Sequence, residues 1–204
     1  ILTASTSVNI KIMLPMISGI EEVKKTFELI ELAKSQLKDQ NIKYDENIKV
    51  VEMIEIPSAV ILADNLAEMV DFFSIGTNDL VQYTLAVDRD SSLVADLYEK
   101  FHPAVLRLIN MTIQSAAKHN IPVSVCGEMA SDPYASLLLI GMGISELSVV
   151  STGYLQIKRL VRLVNYEIAK EVASKVLSMS TISEIKSYIE DCFNKNIGEH
   201  LEPN

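Results

Sequence analysis

Short apolar stretches alternate along this chain with longer segments in which apolar residues recur every three or four positions. The first stretch, Lys11-Ile12-Met13-Leu14-Pro15-Met16, reads as a strand. After Ser18-Gly19, the apolar residues Ile20, Val23, Phe27, Ile30 and Leu37 recur at helical spacing with Glu and Lys between them. A polar loop over residues 41–47 separates that helix from a second strand near residues 48–54. Pro57 then opens a helix through Val60, Leu62 and Leu66. A third strand, Val70-Asp71-Phe72-Phe73-Ser74-Ile75, closes on Gly76, and residues 78–100 read as partly helical. His102-Pro103 starts a helix with Leu106, Ile109, Ile113 and Ala116 on one face. A fourth strand near residues 121–125, a short helix from Asp132-Pro133 and a short fifth strand over residues 146–150 follow. Helices near residues 166–177 and 182–193 end the chain, the last with Thr181 and Glu184 spaced as a capping box.

Strands alternating with helices imply a parallel sheet with right-handed crossovers. An open doubly wound sheet and a (β/α)8 barrel both satisfy the pattern, but about five βα units are too few to close a standard barrel. The fold class is therefore α/β, either open or a partial TIM barrel whose first strands lie upstream of Ile1.

Composition narrows the partners. The formal charge is −9, from 27 acidic and 18 basic residues, with no basic patch, which argues against nucleic acid. No apolar run approaches the ~18–20 residues of a membrane span, so membrane insertion is not expected. Two cysteines, Cys126 and Cys192, make neither a disulfide framework nor a metal-type spacing, and a cytoplasmic location is expected.

In both architectures ligands gather at the C-terminal ends of strands. Those ends read Glu55-Ile56-Pro57-Ser58, Gly76-Thr77-Asn78-Asp79 and Cys126-Gly127-Glu128. Glu55 and Asp79 are one βα unit apart, so their carboxylates face one bowl, and two hard oxygen donors suit magnesium. Each could equally cap the helix that follows it. Gly76-Thr77-Asn78-Asp79 is a donor-rich turn able to cradle phosphate, and is also ordinary turn chemistry. Arg89 can clamp a phosphate or carboxylate, or pair locally with Asp88 or Asp90. Cys126 is either an inert buried thiol or, with a reference pKa of about 8.5, an acid competent near neutral pH. Cys192 reads as structural, and His102, His119 and His200 as a helix start, a helix end and a tail residue.

These elements together resemble a known family. The segment DFFSIGTNDLVQYTLAVDR over residues 71–89 is similar to the signature of phosphoenolpyruvate (PEP)-utilising enzymes. MIEIPSA (53–59), IMLPM (12–16), FHPAVLRLI (101–109) and CGEMASD (126–132) follow in that family's order. Within it the chain most resembles Enzyme I of the bacterial sugar phosphotransferase system, with PEP synthase and pyruvate phosphate dikinase as siblings. The resemblance implies a transferase whose C-terminal (β/α)8 barrel binds PEP and dimerises, with residues 1–204 as the later part of that barrel. It implies magnesium on Glu55 and Asp79, substrate contacts from Asn78, Asp79 and Arg89, and proton delivery to enolpyruvate by Cys126. It also implies phosphoryl transfer to a histidine of an upstream domain and on to the phosphocarrier protein HPr, for sugar uptake. The Thr-Ser-His type motif of that domain is not in this sequence, so this chain alone is expected to be inactive. The alternative is a non-catalytic dimerisation fragment. Lys11 falls where the family often has a basic residue and is expected to approach the site. Strand alternation puts Val51 on the face of Glu55, and Glu52 on the opposite, helix-covered face.

Overall fold

The computed structural model describes residues 1–91 and 93–198, so His200 lies outside the described residues. Five strands form one parallel sheet: β1 (Lys11–Leu14), β2 (Lys49–Ile54), β3 (Phe72–Gly76), β4 (Val123–Cys126) and β5 (Glu146–Leu147). Their spatial order is their chain order, so the sheet has no point at which strand order reverses. An open doubly wound sheet would have one.

The two faces of the sheet differ. Leu14, Val50, Ile54, Phe73, Ile75, Val123 and Val125 point into a core shared with the helices. The alternate positions carry Lys11, Met13, Val51, Met53, Phe72, Ser74, Ser124 and Cys126, none of which belongs to that core. Met13 is half exposed there. Lys11 lies 4.6 Å above the Phe72 ring at the N-terminal end of the strands, not at the end where ligand groups gather. Its expected approach to the site is thereby corrected, because the side chain finds an aromatic face beside it.

The helices run in sequence: α1 (Ile20–Asp39), α2 (Pro57–Ile61), α3 (Ala63–Ala67), α4 (Thr77–Leu85), α5 (Pro103–Lys118), α6 (Glu128–Ser131), α7 (Pro133–Met142), α8 (Tyr154–Leu163), α9 (Tyr166–Leu177) and α10 (Ile182–Phe193). The helix expected through residues 60–66 divides at Leu62, whose φ of −94° and ψ of 7° leave helical geometry. Several ends follow sequence signals. At the start of α1 the Glu22 carboxylate accepts from Ser18 N at 2.6 Å, Ser18 Oγ at 2.9 Å and Gly19 N at 3.2 Å. His102 Nδ1 accepts from Ala104 N at 3.1 Å to cap α5. Thr181 Oγ1 accepts from Glu184 N at 3.3 Å and donates to Glu184 Oε2 at 2.7 Å, which gives the N-cap half of the expected capping box.

A second, smaller core lies beyond α7, where Leu137, Ile157, Leu160, Ala169 and Phe193 meet. Helices α7 and α9 cross so closely that a β-carbon on Gly141 would fall 2.0 Å from the Ala169 carbonyl oxygen. Glu52 sits on the core face as alternation requires, between Leu14 of β1 and Phe73 of β3. It is fully buried, and among the described residues neither carboxyl oxygen has a hydrogen-bond partner.

Candidate functional site

Three strand ends converge on one rim. Glu55 follows the last residue of β2 and is buried, its Oε2 accepting from Met16 N at 2.8 Å. Met16 reaches that position with a φ of 56°, which turns the chain off β1 two residues earlier than the sequence suggests. Gly76, the last residue of β3, leaves Glu55 its space: a β-carbon there would come 2.6 Å from Glu55 Cγ and 2.7 Å from Oε1.

No turn separates β3 from α4. The Gly-Thr-Asn-Asp segment, expected as a donor-rich turn, is instead the strand end plus the first turn of the helix. Asn78 and Asp79 therefore project from a rigid helix start, where the macrodipole favours negative charge. Thr77 Oγ1 donates to the Cys126 carbonyl at 2.8 Å, and Asn78 Oδ1 accepts from Glu128 N at 3.0 Å. With Oδ1 engaged, the Asn78 amide NH₂ retains two donors for a ligand. Gly127, at φ 89°, passes so close that a β-carbon would meet Thr77 Oγ1 at 2.6 Å and Asn78 Oδ1 at 2.8 Å. Only glycine combines that backbone with that clearance.

Burial raises the Glu55 pKa; the Met16 amide opposes the rise, while the Asp79 charge and its hydrogen-bonding contact add to it. Two carboxyl groups held together in this way repel when both ionise, and a divalent cation between them relieves that repulsion. Among the described residues no group of three or more His, Cys, Asp and Glu side chains is arranged to hold a metal. Two carboxylates with positions left for water and substrate oxygens fit the coordination habits of magnesium.

Arg89 pairs with neither of its acidic neighbours. Its guanidinium lies 3.9 Å from Asp79 Oδ1, while Asp90 N donates to Asp88 Oδ1. Its backbone N–H reaches Gln82 Oε1 at 3.3 Å, just past the left-handed Ala86 that ends α4. Glu55, Asp79 and Arg89 thus form one electrostatic group, with Asn78 beside it.

Cys126, the last residue of β4, is half-buried, and its thiol donates to the Ile75 carbonyl at 3.5 Å. Burial pushes the thiol pKa up, with the Glu55 and Asp79 charges adding to it and the Ser74 hydroxyl opposing it. It opens onto a cleft of about 630 Å³ that Asn78, Lys100, Glu128 and Ser148 also line. Lys100 is bound there to Asp132 at 2.6 Å. Cys192 lies on α10 against the core.

Some participants were not singled out from the sequence. Tyr98 donates to the Asn78 carbonyl at 3.1 Å from an irregular segment, where no periodicity announces it. Ser74 and Ser124 each stand two residues before a site residue on the same strand face, a signal that alternation carries.

Comparisons with known proteins place the chain in a family. The profile of the family described as PEP-utilising enzyme, PEP-binding domain, matches residues 1–166. This chain belongs to that family. It is also 42% identical over 196 residues to the phosphoenolpyruvate-protein phosphotransferase of Haemophilus influenzae. It is 43% identical over 194 residues to the protein of that name from Buchnera aphidicola, and 40% over 193 residues to that of Bacillus subtilis. Each match covers 95 to 96% of this chain and 34% of the relative, so the chain spans about a third of the length of these PEP-utilising proteins.

Proposed function

We propose that this chain is the PEP-binding part of a PEP–protein phosphotransferase of the Enzyme I type. The longer protein would move the phosphoryl group of PEP to a histidine of an upstream domain and from there to the phosphocarrier protein HPr. The observation that carries the reading is the joining of Glu55, Asp79 and Arg89 into one group at the rim, with Cys126 on the neighbouring strand end.

Arg89 and the Asn78 amide bind the anionic substrate, Arg89 with a planar fork matched to phosphate or carboxylate oxygens. Glu55 and Asp79 would hold magnesium, which would supply charge neutralisation on the substrate oxygens. As the phosphoryl group leaves, an enolate of pyruvate remains. The Cys126 S–H bond breaks, a C–H bond forms at the enolate methylene carbon, and the sulfur keeps the electron pair as thiolate while the ketone forms. The raised thiol pKa keeps that proton in place until it is needed.

The sheet supports a partial (β/α)8 barrel. Its strand order is sequential and its helices share a core with one face alone, as in a barrel wall. Edges β1 and β5 would be joined by further strands of the longer protein, and the face with Lys11, Met13 and Cys126 would line the barrel interior. Homodimerisation through this domain and work in the cytoplasm belong to the same reading. Among the described residues no helix is long and apolar enough to cross a membrane.

The test is calorimetric titration of PEP into the chain with and without magnesium, repeated on Asp79→Ala. Magnesium-dependent binding lost in the variant supports the proposal. Absence of binding both in this chain and in one extended upstream overturns it.

A further inference from the structure

Behind Cys126, on the sheet face away from the helical core, two buried serines make a short chain of hydroxyls. Ser124 Oγ donates to Ser74 Oγ at 3.1 Å, and Ser74 Oγ donates to Cys126 Sγ at 3.9 Å. The thiol hydrogen in turn points to the Ile75 carbonyl. Ser74 is 3% exposed and Ser124 4% exposed, so water does not compete for these contacts. The serines pair directly across β3 and β4, in the register that also sets Gly76 opposite Cys126. A hydroxyl buried on a strand needs a partner, and here each supplies the other's need in one direction only, towards sulfur.

We propose that Ser74 and Ser124 are positioning residues for the Cys126 proton, forming a one-way hydroxyl chain that orients the thiol and receives the charge left on sulfur. The proposal rests on the reading of Cys126 as proton donor to enolpyruvate. At 3.9 Å the contact to a neutral thiol is long. It strengthens when the proton departs, because a hydrogen bond to an ionised acceptor is shorter and roughly twice as strong as a neutral one. The chain therefore favours the state after proton delivery over the state before it, which is the condition for lowering a barrier. Polarisation along two linked hydroxyls adds to the effect at the sulfur.

The test uses the whole chain carrying Cys192→Ala, which leaves one thiol. The S–H stretching band of Cys126 is read by infrared spectroscopy and assigned by its loss in Cys126→Ala. Ser74→Ala is expected to shift and broaden the band, Ser124→Ala to shift it less in the same sense, and Ser74→Thr to restore it. In parallel, deuterium exchange into the methyl group of pyruvate is followed by NMR with magnesium in D₂O, in this chain and in one extended upstream. Exchange is expected to fall about tenfold in Ser74→Ala and about threefold in Ser124→Ala, and to vanish in Cys126→Ala. An unmoved band in Ser74→Ala overturns the proposal, and so does a moved band with unchanged exchange. Exchange that is absent from both the chain and its upstream-extended form, or that survives Cys126→Ala, instead removes the reading of Cys126 as proton donor, and the positioning role with it. In that case the band still reports whether the hydroxyls hold the sulfur.

Discussion

Gly76 and Glu55 occupy neighbouring strand ends so tightly that a single added methyl at Gly76 would lie 2.6 Å from Glu55 Cγ. Gly76→Ala should therefore push the carboxylate off the rim, and the loss should appear in ligand binding before it appears in folding. Magnesium-dependent PEP affinity is expected to drop by at least tenfold, with a stability cost of about 1–3 kcal/mol from local overpacking. Titration calorimetry and thermal melting of the same sample separate the two effects.

Glu52 is predicted to weaken the fold at neutral pH. Burial, with a smaller contribution from the Glu22 charge, raises its pKa from 4.5 to about 8. A carboxyl whose folded pKa lies above its unfolded pKa favours the unfolded state as pH rises between the two. Stability attributable to Glu52 is thus intact below about pH 4.5, falls through neutrality, and reaches its lowest near pH 8. Glu52→Gln should stabilise the chain by an amount that grows across that window, on the order of 3 kcal/mol at pH 7. Denaturant melts at pH 5 and pH 8 check it, and an equal gain at both pH values would contradict the assignment.

The crossing of α7 and α9 should not tolerate even one carbon at its centre. In Gly141→Ala the new methyl meets backbone, the Ala169 carbonyl at 2.0 Å, rather than a side chain that can rotate away. A loss of roughly 3 kcal/mol or more is expected. Chemical denaturation followed by circular dichroism measures it.

Arg89→Lys should keep the charge and lose the fork. PEP binding is expected to weaken by about tenfold or more while the melting temperature stays within error, because the exposed pair with Asp79 contributes little to folding. Calorimetry on the variant, with Arg89→Ala for scale, decides whether the planar geometry matters.

What the sequence made legible was mainly what alternation and strand ends dictate. Glu55, Asp79 and Cys126 could be placed at one rim because each follows an apolar stretch that stops abruptly. The opposed faces of Val51 and Glu52 followed from the two-residue period alone. The junction at Gly76-Thr77 was misread as a turn because Thr, Asn and Asp serve turns and helix starts by the same side-chain hydrogen bonds. Helix α8 went unread although Tyr154, Ile157, Leu160 and Val161 share one face at helical spacing, with Ile157 and Leu160 buried, so its periodic signal was present in the sequence. Pairings that join distant segments, such as Tyr98 to Asn78 or Arg89 to Asp79, depend on the path of an irregular loop and have no local signature.

The direct passage from β3 into α4 also bears on how such a site can change over time. With no connecting residues between Gly76 and Thr77, an insertion there would rotate the helix start and carry Asn78 and Asp79 off the rim together. Length variation is excluded at the point that holds the ligand-facing groups and is left to the segment that joins α4 to α5. Divergence at this centre would then proceed by exchanging side chains on a fixed frame, while the segment bearing Arg89 and Tyr98 is where new lengths, and with them new substrate contacts, can be tried.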